Sequence, residues 1–368
     1  MNILITGSNG FIGKNLVVRL KELKIYNILE FNSNNTEAEL KNFILNSDLI
    51  IHLAAVNRPD NDYYFKAVNS QLTLRVCKLI EEFNLNVPII FTSSAQCEKN
   101  TLYGISKKEA ELHIKKLSFK KNISVLIYRL PGVFGKWSKP NYNSVVATFC
   151  YNIANDMPVA IHDKNKNLTL VYIDDVINEF IKKISNFPVG FNYCSIKPEY
   201  KISIIALKKQ IQSFRSSFTN LEVERVGNGL IRALYATYLS FLPKSKFSYN
   251  LQSFKDDRGI FTEFIKNKEI GQFSIFTANP GSIRGEHYHH SKSEKFLVVS
   301  GAAKFEFCNI ITNDKFSLIV SYEMFKVVQT IPGWSHSVTN IGSNKLVVLV
   351  WASEIFIKDK PDTIYNKG

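Results

Sequence analysis

The chain opens on an apolar run, "NILIT", which passes through "GSNGFIG" into the amphipathic stretch "KNLVVRLKELK". A strand that turns through closely spaced glycines into a helix belongs most naturally to the first unit of a parallel α/β sheet. Gly7, Gly10 and Gly13 recur at every third residue. Glycine there allows a tight bend, close approach of backbone amides to a pyrophosphate, and close packing of helix on strand. The spacing departs from the common G-x-G-x-x-G form, so alone it also fits plain turn chemistry. Read as a nucleotide cradle, it assigns Gly7, Asn9, Gly10, Phe11, Ile12 and Gly13 to cofactor binding.

The same rhythm continues to about residue 200. "YNILEF", "DLIIHLAA", "VPIIFTSS", "SVLIYRL" and "FNYCS" read as strands, with amphipathic stretches such as "SKKEAELHIKKL" between them. That alternation predicts a Rossmann-like, doubly wound parallel sheet. Residues 202–218 read as a further helix, and 227–247 as a last one ended by Pro243. Beyond it the texture changes to short β-branched and aromatic runs broken by Gly, Asn and Pro, among them "GIFTEFIK", "QFSIFTANPG" and "KLVVLVWASEIFI". Such runs predict an all-β barrel or jelly roll. A length of 368 residues suits two domains, divided here into 1–246 and 247–368.

The formal charge of +14 raises the question of nucleic acid. The lysines are spread along the chain without a long basic run, and no zinc-finger or RNP-like motif accompanies them. A phosphate-bearing small substrate suits the charge, and no nucleic-acid partner is expected. No apolar run reaches membrane-span length, and the N-terminus begins on a strand rather than a cationic, then apolar, leader. The expectation is a cytoplasmic protein without membrane insertion. The five cysteines show neither a CxxC pair nor disulfide-like spacing, which reads as reduced, mostly buried thiols.

"YGISK" places Tyr103 and Lys107 one helical turn apart, on one face. A free tyrosine is a poor acid or base at neutral pH, and a neighbouring ammonium stabilises its phenolate. Just before it, "FTSSAQ" ends a strand with Ser93 and Ser94, hydroxyls suited to polarising a carbonyl oxygen. Together with the glycine turn, "HLAA" (His52 to Ala55) and Asn69, these residues resemble the extended short-chain dehydrogenase/reductase family. The resemblance implies Tyr103 as acid/base, Lys107 holding the nicotinamide ribose and lowering the tyrosine pKa, and Ser94 on the substrate oxygen. Ala54 joins the cofactor set. Only residues 95–102 separate Ser94 from Tyr103, shorter than the family's usual loop, which implies a more open cleft. At the tip of the second strand stand Asn32, Ser33 and Asn34, with Glu30 inside the strand and Lys14 after Gly13. A tip without a carboxylate favours NADPH, with Asn32 in the cofactor site. "RLPGVFG" and "VYIDDV" resemble sugar-nucleotide enzymes, but the arginine those carry before the second segment is missing from "NKNLTLVYIDDV".

In the second half, Gly281, His287, His289, Glu294 and Gly301 are followed by Gly333, His336 and Asn340. On a strand, residues two apart share a face, so His287 and His289 point one way and His290 the other. His287, His289, Glu294 and His336 make a three-histidine, one-carboxylate set suited to Zn²⁺ or another divalent transition metal. The two spacings resemble the paired cupin motifs, with Pro332 displaced by one position and Lys326 at a usual glycine. "DDRGIFTEF" and "IRGEHYH" resemble the sugar-nucleotide 3,5-epimerases, in which the histidine after Arg-Gly is a base. That position is His287, and a metal ligand is not at the same time a free base, so both roles stay open. A metal there would polarise a ketone oxygen and stabilise an enolate.

Over the whole length, with the connector "LYATYLSFLP" and "DTIY" near the end, the chain resembles the CapF-type bifunctional enzymes of capsular or O-antigen polysaccharide synthesis. The resemblance implies a UDP-N-acetyl-6-deoxy-4-ketosugar substrate, UDP-2-acetamido-2,6-dideoxy-β-L-arabino-hexos-4-ulose, and a homodimer. The cupin domain would epimerise carbon 3, and the reductase domain would then reduce carbon 4 with NADPH. The product is UDP-2-acetamido-2,6-dideoxy-β-L-talose, on the way to UDP-N-acetyl-L-fucosamine. Two other readings stand beside it: a 4-ketosugar reductase with a purely structural cupin domain, and a non-catalytic sensor of nucleotide sugars.

Overall fold

The opening apolar run forms β1 (Asn2–Thr6), and the glycine loop leads into α1 (Phe11–Leu23). The computed structural model describes residues 1–161 and 163–366. Then follow β2 (Asn27–Phe31), α2 (Glu37–Leu45), β3 (Leu49–His52), α3 (Leu72–Glu82), β4 (Ile89–Ser94), α4 (Leu102–Lys121), β5 (Val125–Leu130) and β6 (Gly132–Phe134). After these come α5 (Val145–Ala154), β7 (Asn167–Tyr172), α6 (Ile173–Ser185), β8 (Phe191–Cys194), β9 (Tyr200–Ser203), α7 (Ile204–Asn220) and α8 (Gly229–Leu239). Local chemistry marks several boundaries. Thr36 and Glu39 close a reciprocal capping box at the start of α2, and the Thr101 hydroxyl caps α4. α6 buries Ile173, Val176, Ile177, Phe180 and Ile184, one stripe at helical spacing.

Six strands pair in parallel in the order β2-β1-β3-β4-β5-β8. The order reverses at β1, so a crevice opens at the carboxyl ends of β1 and its neighbours, and the glycine loop enters it. Leu4, Ile50, Ile89, Phe91 and Ile127 of the sheet pack on Val76, Ile80, Ile114 and Leu117 of the helices. This is the Rossmann-like arrangement expected. A small sheet, β6-β7-β9, carries the segment "VYIDDV" at the junction of β7 and α6. The last helix is shorter than its sequence suggests. α8 stops at Leu239, and Lys244–Lys246 makes a separate 3₁₀ turn, because Pro243 bars helical geometry at the residue before it.

The second half is all strand: β10 (Ser253–Asp256), β11 (Gly259–Asn267), β12 (Gly271–Ala278), β13 (Ile283–Tyr288), β14 (Glu294–Ser300), β15 (Ala302–Asn309), β16 (Lys315–Ser321), β17 (Val327–Gln329), β18 (Trp334–Asn340), β19 (Leu346–Ala352) and β20 (Ile364–Tyr365). Two antiparallel sheets, β10-β11-β12-β19-β14-β17 and β16-β15-β18-β13-β20, share one core. Phe276, Phe296 and Val348 meet Phe305, Val320 and Val338 there. Strands such as β19 alternate buried and half-buried residues, as a two-sheet sandwich requires. The result is the cupin-like jelly roll expected.

By contacts the chain divides into two compact units, Met1–Gln212 with Asn228–Pro243, and Ser213–Gly227 with the chain from Lys244 on. Residues 213–227 group with the second unit because Leu221 and Val223 exchange backbone hydrogen bonds with Lys266 of β11, both at 2.8 Å. A single cut at 246 does not express that pairing. Among the described residues no helix is long and apolar enough to cross a membrane.

Candidate active sites

In the first unit the glycine loop is a close-packed cradle. Gly7 has φ +71°, and a side chain there would place Cβ 2.8 Å from Ala54 backbone atoms. A Cβ on Gly13 would lie 2.3 Å from the Gly7 carbonyl oxygen. Gly10 begins α1 with no side-chain cap, and the first turn carries no acidic residue. The helix terminus therefore keeps its amides and positive dipole end for an anion. At the tip of β2 the Asn32 side chain accepts from the Asn34 amide at 3.1 Å, and the Asn32 backbone N–H donates to the Asn35 side chain at 2.8 Å. The two nearby carboxylates are engaged elsewhere, Glu30 with Lys21 at 2.6 Å and Glu39 in the capping box. Lys14 is exposed. These features fit a dinucleotide whose ribose meets no carboxylate.

A buried hydrogen-bonded chain ties this cradle to α4. Thr6 accepts from the Ala54 amide at 3.3 Å and donates to Nδ1 of His52 at 2.6 Å. His52 Nε2 donates to Thr73 at 2.8 Å, which in turn donates to the Asn69 carbonyl at 2.7 Å. This network selects the Nε2–H tautomer, and burial pushes the His52 pKa down to about 3, with the Lys107 charge adding to the shift. Asn69 lies in a π-helical turn, Phe65–Gln71. Its amide donates to Ser106 at 3.0 Å, and Ser106 donates to the Tyr103 carbonyl at 2.8 Å.

Tyr103 and Lys107 share one face of α4 as expected, and the Ser94 hydroxyl near the phenol acts to lower the Tyr103 pKa. Its pKa is nonetheless raised, because burial outweighs the effect of Ser94, and Lys107 is not among the groups that shift it. The Lys107 ammonium instead donates to the Thr92 carbonyl at 2.7 Å and sits 4.6 Å over the Phe91 ring. Burial brings the lysine down to about 8, opposed by Glu111. Glu111 went unnoticed in the sequence, although it stands one turn beyond Lys107. It takes a forked pair from Arg129, Nε at 3.0 Å and Nη2 at 2.8 Å. Arg129 lies opposite Ser93 in the β4–β5 register. The pair thus pins α4 to the strand ends that carry the serines. Within "VYIDDV", Arg232 of α8 lies 5.6 Å over the Tyr172 ring.

In the second unit His287, His289, Glu294 and His336 converge, with one ligand atom from each within 4.8 Å of all the others. Glu294 Oε2 is 3.4 Å from His289 Nε2 and 3.3 Å from His336 Nε2. His289 Nε2 and both His336 ring nitrogens are buried without a hydrogen-bond partner. Orphaned nitrogens around one carboxylate are what a divalent transition metal would satisfy, so the residues fit such an ion. Burial brings His287 down to about 4, with His336 adding to the shift. Burial alone would raise the Glu294 carboxyl, but the imidazoles of His289 and His336 beside it and the Lys292 charge hold it well below the usual range. A lowered His287 and an ionised Glu294 suit a metal, which binds the deprotonated forms of its ligands.

The route by which the histidines converge differs from an uninterrupted strand. β13 ends at Tyr288, so His289 lies just beyond it, and His290 is exposed. A bulge at Gly285–Glu286 shifts the register against β18, pairing Arg284 with Val338 and His287 with His336. A Cβ on Gly285 would meet the His336 carbonyl at 2.7 Å, so only glycine allows that approach. The bulge turns Arg284 and His287, three residues apart, into the same interior. Both line a cavity of about 270 Å³ with Arg258, Glu294, His336 and the rings of Phe261, Phe276 and Phe296. Asp256 bridges the arginines, 2.6 Å from Arg258 and 3.3 Å from Arg284. Strict alternation hides this pairing of arginine and histidine.

Residues 3–190 match the NAD dependent epimerase/dehydratase family, and 254–364 match the polysaccharide biosynthesis C-terminal domain. A UDP-2-acetamido-2,6-beta-L-arabino-hexul-4-ose reductase of Pseudomonas aeruginosa is 45% identical, covering 99% of this chain and 98% of that protein. The crystal structure of the capsular polysaccharide assembling protein CapF from Staphylococcus aureus superposes with TM-score 0.93 at 37% identity, over 100% of both chains. A UDP-glucuronic acid 4-epimerase from Bacillus cereus, solved with NAD, shares the fold at TM-score 0.56 and 17% identity over 67% of this chain and 100% of its own. The chain belongs to the NAD dependent epimerase/dehydratase family, in the CapF-type branch that carries a polysaccharide-biosynthesis domain behind the reductase fold.

Proposed function

We propose that this protein converts a UDP-N-acetyl-6-deoxy-4-ketosugar in two steps, epimerising carbon 3 in residues 247–368 and reducing the 4-ketone in residues 1–246. The observation that carries the reading is the pairing, in one chain, of Tyr103, Lys107 and Ser94 beside a glycine cradle with the converged His287, His289, Glu294 and His336. The substrate is UDP-2-acetamido-2,6-dideoxy-β-L-arabino-hexos-4-ulose, and the product is the β-L-talose nucleotide. Chemistry orders the steps. The 4-ketone acidifies the hydrogen on carbon 3, so epimerisation must come first, and reduction then removes the ketone and fixes the new configuration.

In the first site, NADPH supplies hydride when bound. Gly7, Asn9, Gly10, Phe11, Ile12 and Gly13 cradle its pyrophosphate, while Asn32 and Ala54 flank it. Ser94 holds the carbonyl oxygen, and the Tyr103 hydroxyl delivers a proton to it. Lys107, freed from the Thr92 carbonyl, holds the ribose and stabilises the phenolate left behind. In the second site, His287, His289, Glu294 and His336 would hold Zn²⁺, which supplies Lewis acidity toward the ketone oxygen. His287 stands at the epimerase base position, and this chain's role for it is either ligand or base. The reading extends to a homodimer, for which the exposed Ile105, Leu112 and Phe119 of α4 offer an apolar face. It also extends to a cytoplasmic location, where NADPH and UDP-sugars are kept.

The test is product analysis by mass and NMR after incubation with the UDP-4-ketosugar, with NADPH, with NADH and with neither. The proposal expects the talose configuration with NADPH and a lower kcat/KM with NADH. Reduction without inversion at carbon 3 would leave a plain reductase, and a preference for NADH would overturn the reading of Asn32–Asn34.

A further inference from the structure

β20 is two residues long, and its side chains gain little from burial, since Ile364 stays 36% exposed and Tyr365 65%. Apolar packing therefore does not explain why the chain end is drawn against β13. The polar contacts do. β20 pairs with β13 at His287↔Tyr365 and Tyr288↔Ile364. Just before it, the Asp362 carboxylate accepts the backbone N–H groups of His290, Ser291 and Lys292 at 2.9, 2.9 and 2.8 Å, and the Ser291 hydroxyl at 3.1 Å. The backbone carbonyl of Asp362 accepts Nδ1–H of His289. Thr363 accepts the Lys292 ammonium at 3.2 Å, and that ammonium lies 3.7 Å from Glu294 Oε1. Beyond β20, the Asn366 carbonyl accepts the hydroxyl of Ser335 at 2.6 Å, next to His336.

The tail thus touches His287 and His289 directly, His336 through Ser335, and Glu294 through the Lys292 ammonium. The contact to His289 decides most. An imidazole that donates from Nδ1 presents its Nε2 lone pair, and His289 Nε2 is the buried nitrogen left without a partner. The carbonyl that sets this tautomer is itself held in place, because the side chain of the same residue caps the 290–292 turn.

We propose that Asp362–Asn366 is a buckle that completes the metal centre: it fixes His289 as an Nε2 ligand and holds the loop between His289 and Glu294 at ligating distance. Asp362 is a positioning residue, acting through His289 rather than on substrate. The proposal rests on the metal reading above.

The experiment is Zn²⁺ binding to the full chain, by metal content after desalting and by competition with a chromogenic chelator. Wild type is compared with Asp362→Ala, Asp362→Asn and a chain ending at Lys360, with far-UV circular dichroism reporting the fold of each. Outer partners of metal ligands typically contribute about 10–100-fold in affinity, and that loss is expected for Asp362→Ala and for the shortened chain. Asp362→Asn keeps an oxygen acceptor for the 290–292 amides and should recover part of it. Thr363→Val, which removes only the lysine's hydroxyl partner, is the milder variant should the others fail to fold, and it should weaken binding a few-fold. Wild-type affinity in the folded Asp362→Ala and shortened chains overturns the buckle alone. A wild-type chain that takes up no Zn²⁺ overturns the metal reading, and the buckle with it.

Discussion

Replacing Gly13 by alanine tests the cofactor cradle with a single methyl group. Its Cβ would sit 2.3 Å from the Gly7 carbonyl oxygen and 2.7 Å from that of Ser8, both backbone atoms that no rotamer change can move aside. Ordinary contact begins near 3.5 Å, so the loop or the start of α1 must shift by about 1 Å. The Gly7 carbonyl also accepts the Gly10 amide at 2.9 Å, so the turn that aims the amides is disturbed as well. Misplacement by about 1 Å costs on the order of 10²-fold where geometry is critical. The NADPH dissociation constant should rise by about that factor, or about 2.7 kcal/mol. Titration of NADPH fluorescence reads it directly, and zinc content of the second unit checks that the chain is otherwise intact. Lys14→Ala, at an exposed side chain, is the comparison and should change affinity only a few-fold. An affinity for Gly13→Ala within about threefold of wild type would show that the cofactor does not use this loop as argued here.

Two further outcomes follow from the first unit. Tyr103→Phe should lower kcat for NADPH oxidation by about 10²–10⁴-fold with little change in NADPH affinity, because it removes the proton donor and leaves the cradle intact. Near-normal turnover would take Tyr103 out of the chemistry. His52 is neutral in the folded chain, with a pKa near 3, and binds a proton below about 6.5 when unfolded. The unfolded state therefore holds more protons between those values, and stability falls as pH drops through that window. Between pH 7 and 5 this one group should lower unfolding free energy by about 2 kcal/mol. Urea midpoints for wild type and His52→Asn at both pH values should differ in slope by that amount, and parallel slopes would refute it.

How much of this could be read beforehand depends on whether the signal lay within one element. β1, the glycine loop and α1 are contiguous, and Tyr103 and Lys107 share one helix turn, so periodicity alone places them. The four converging residues were legible because one local spacing carries His287, His289 and Glu294 and a second carries His336. What escaped involves distant partners or broken periods. The bulge at Gly285–Glu286 resets a period of two, which hides that Arg284 and His287 face one cavity. Arg129 reaches Glu111 across separate elements, and Asp362 reaches His289 only when the chain end folds back. The spacing of "YGISK" sets Lys107 toward the phenol, whereas its ammonium donates to the Thr92 carbonyl, an acceptor no spacing reveals.

The central claim is that both sites act on one ketosugar, with proton exchange in the second unit independent of hydride transfer in the first. The direct measurement is deuterium at carbon 3 after incubating UDP-4-ketosugar in D₂O without NADPH, using Tyr103→Phe and His289→Ala proteins each supplied with Zn²⁺. Exchange at the wild-type rate in Tyr103→Phe, and its loss together with the metal in His289→Ala, is the predicted result. Exchange that persists after the metal and His287 are both removed would contradict the account, since epimerisation would then lie outside the barrel.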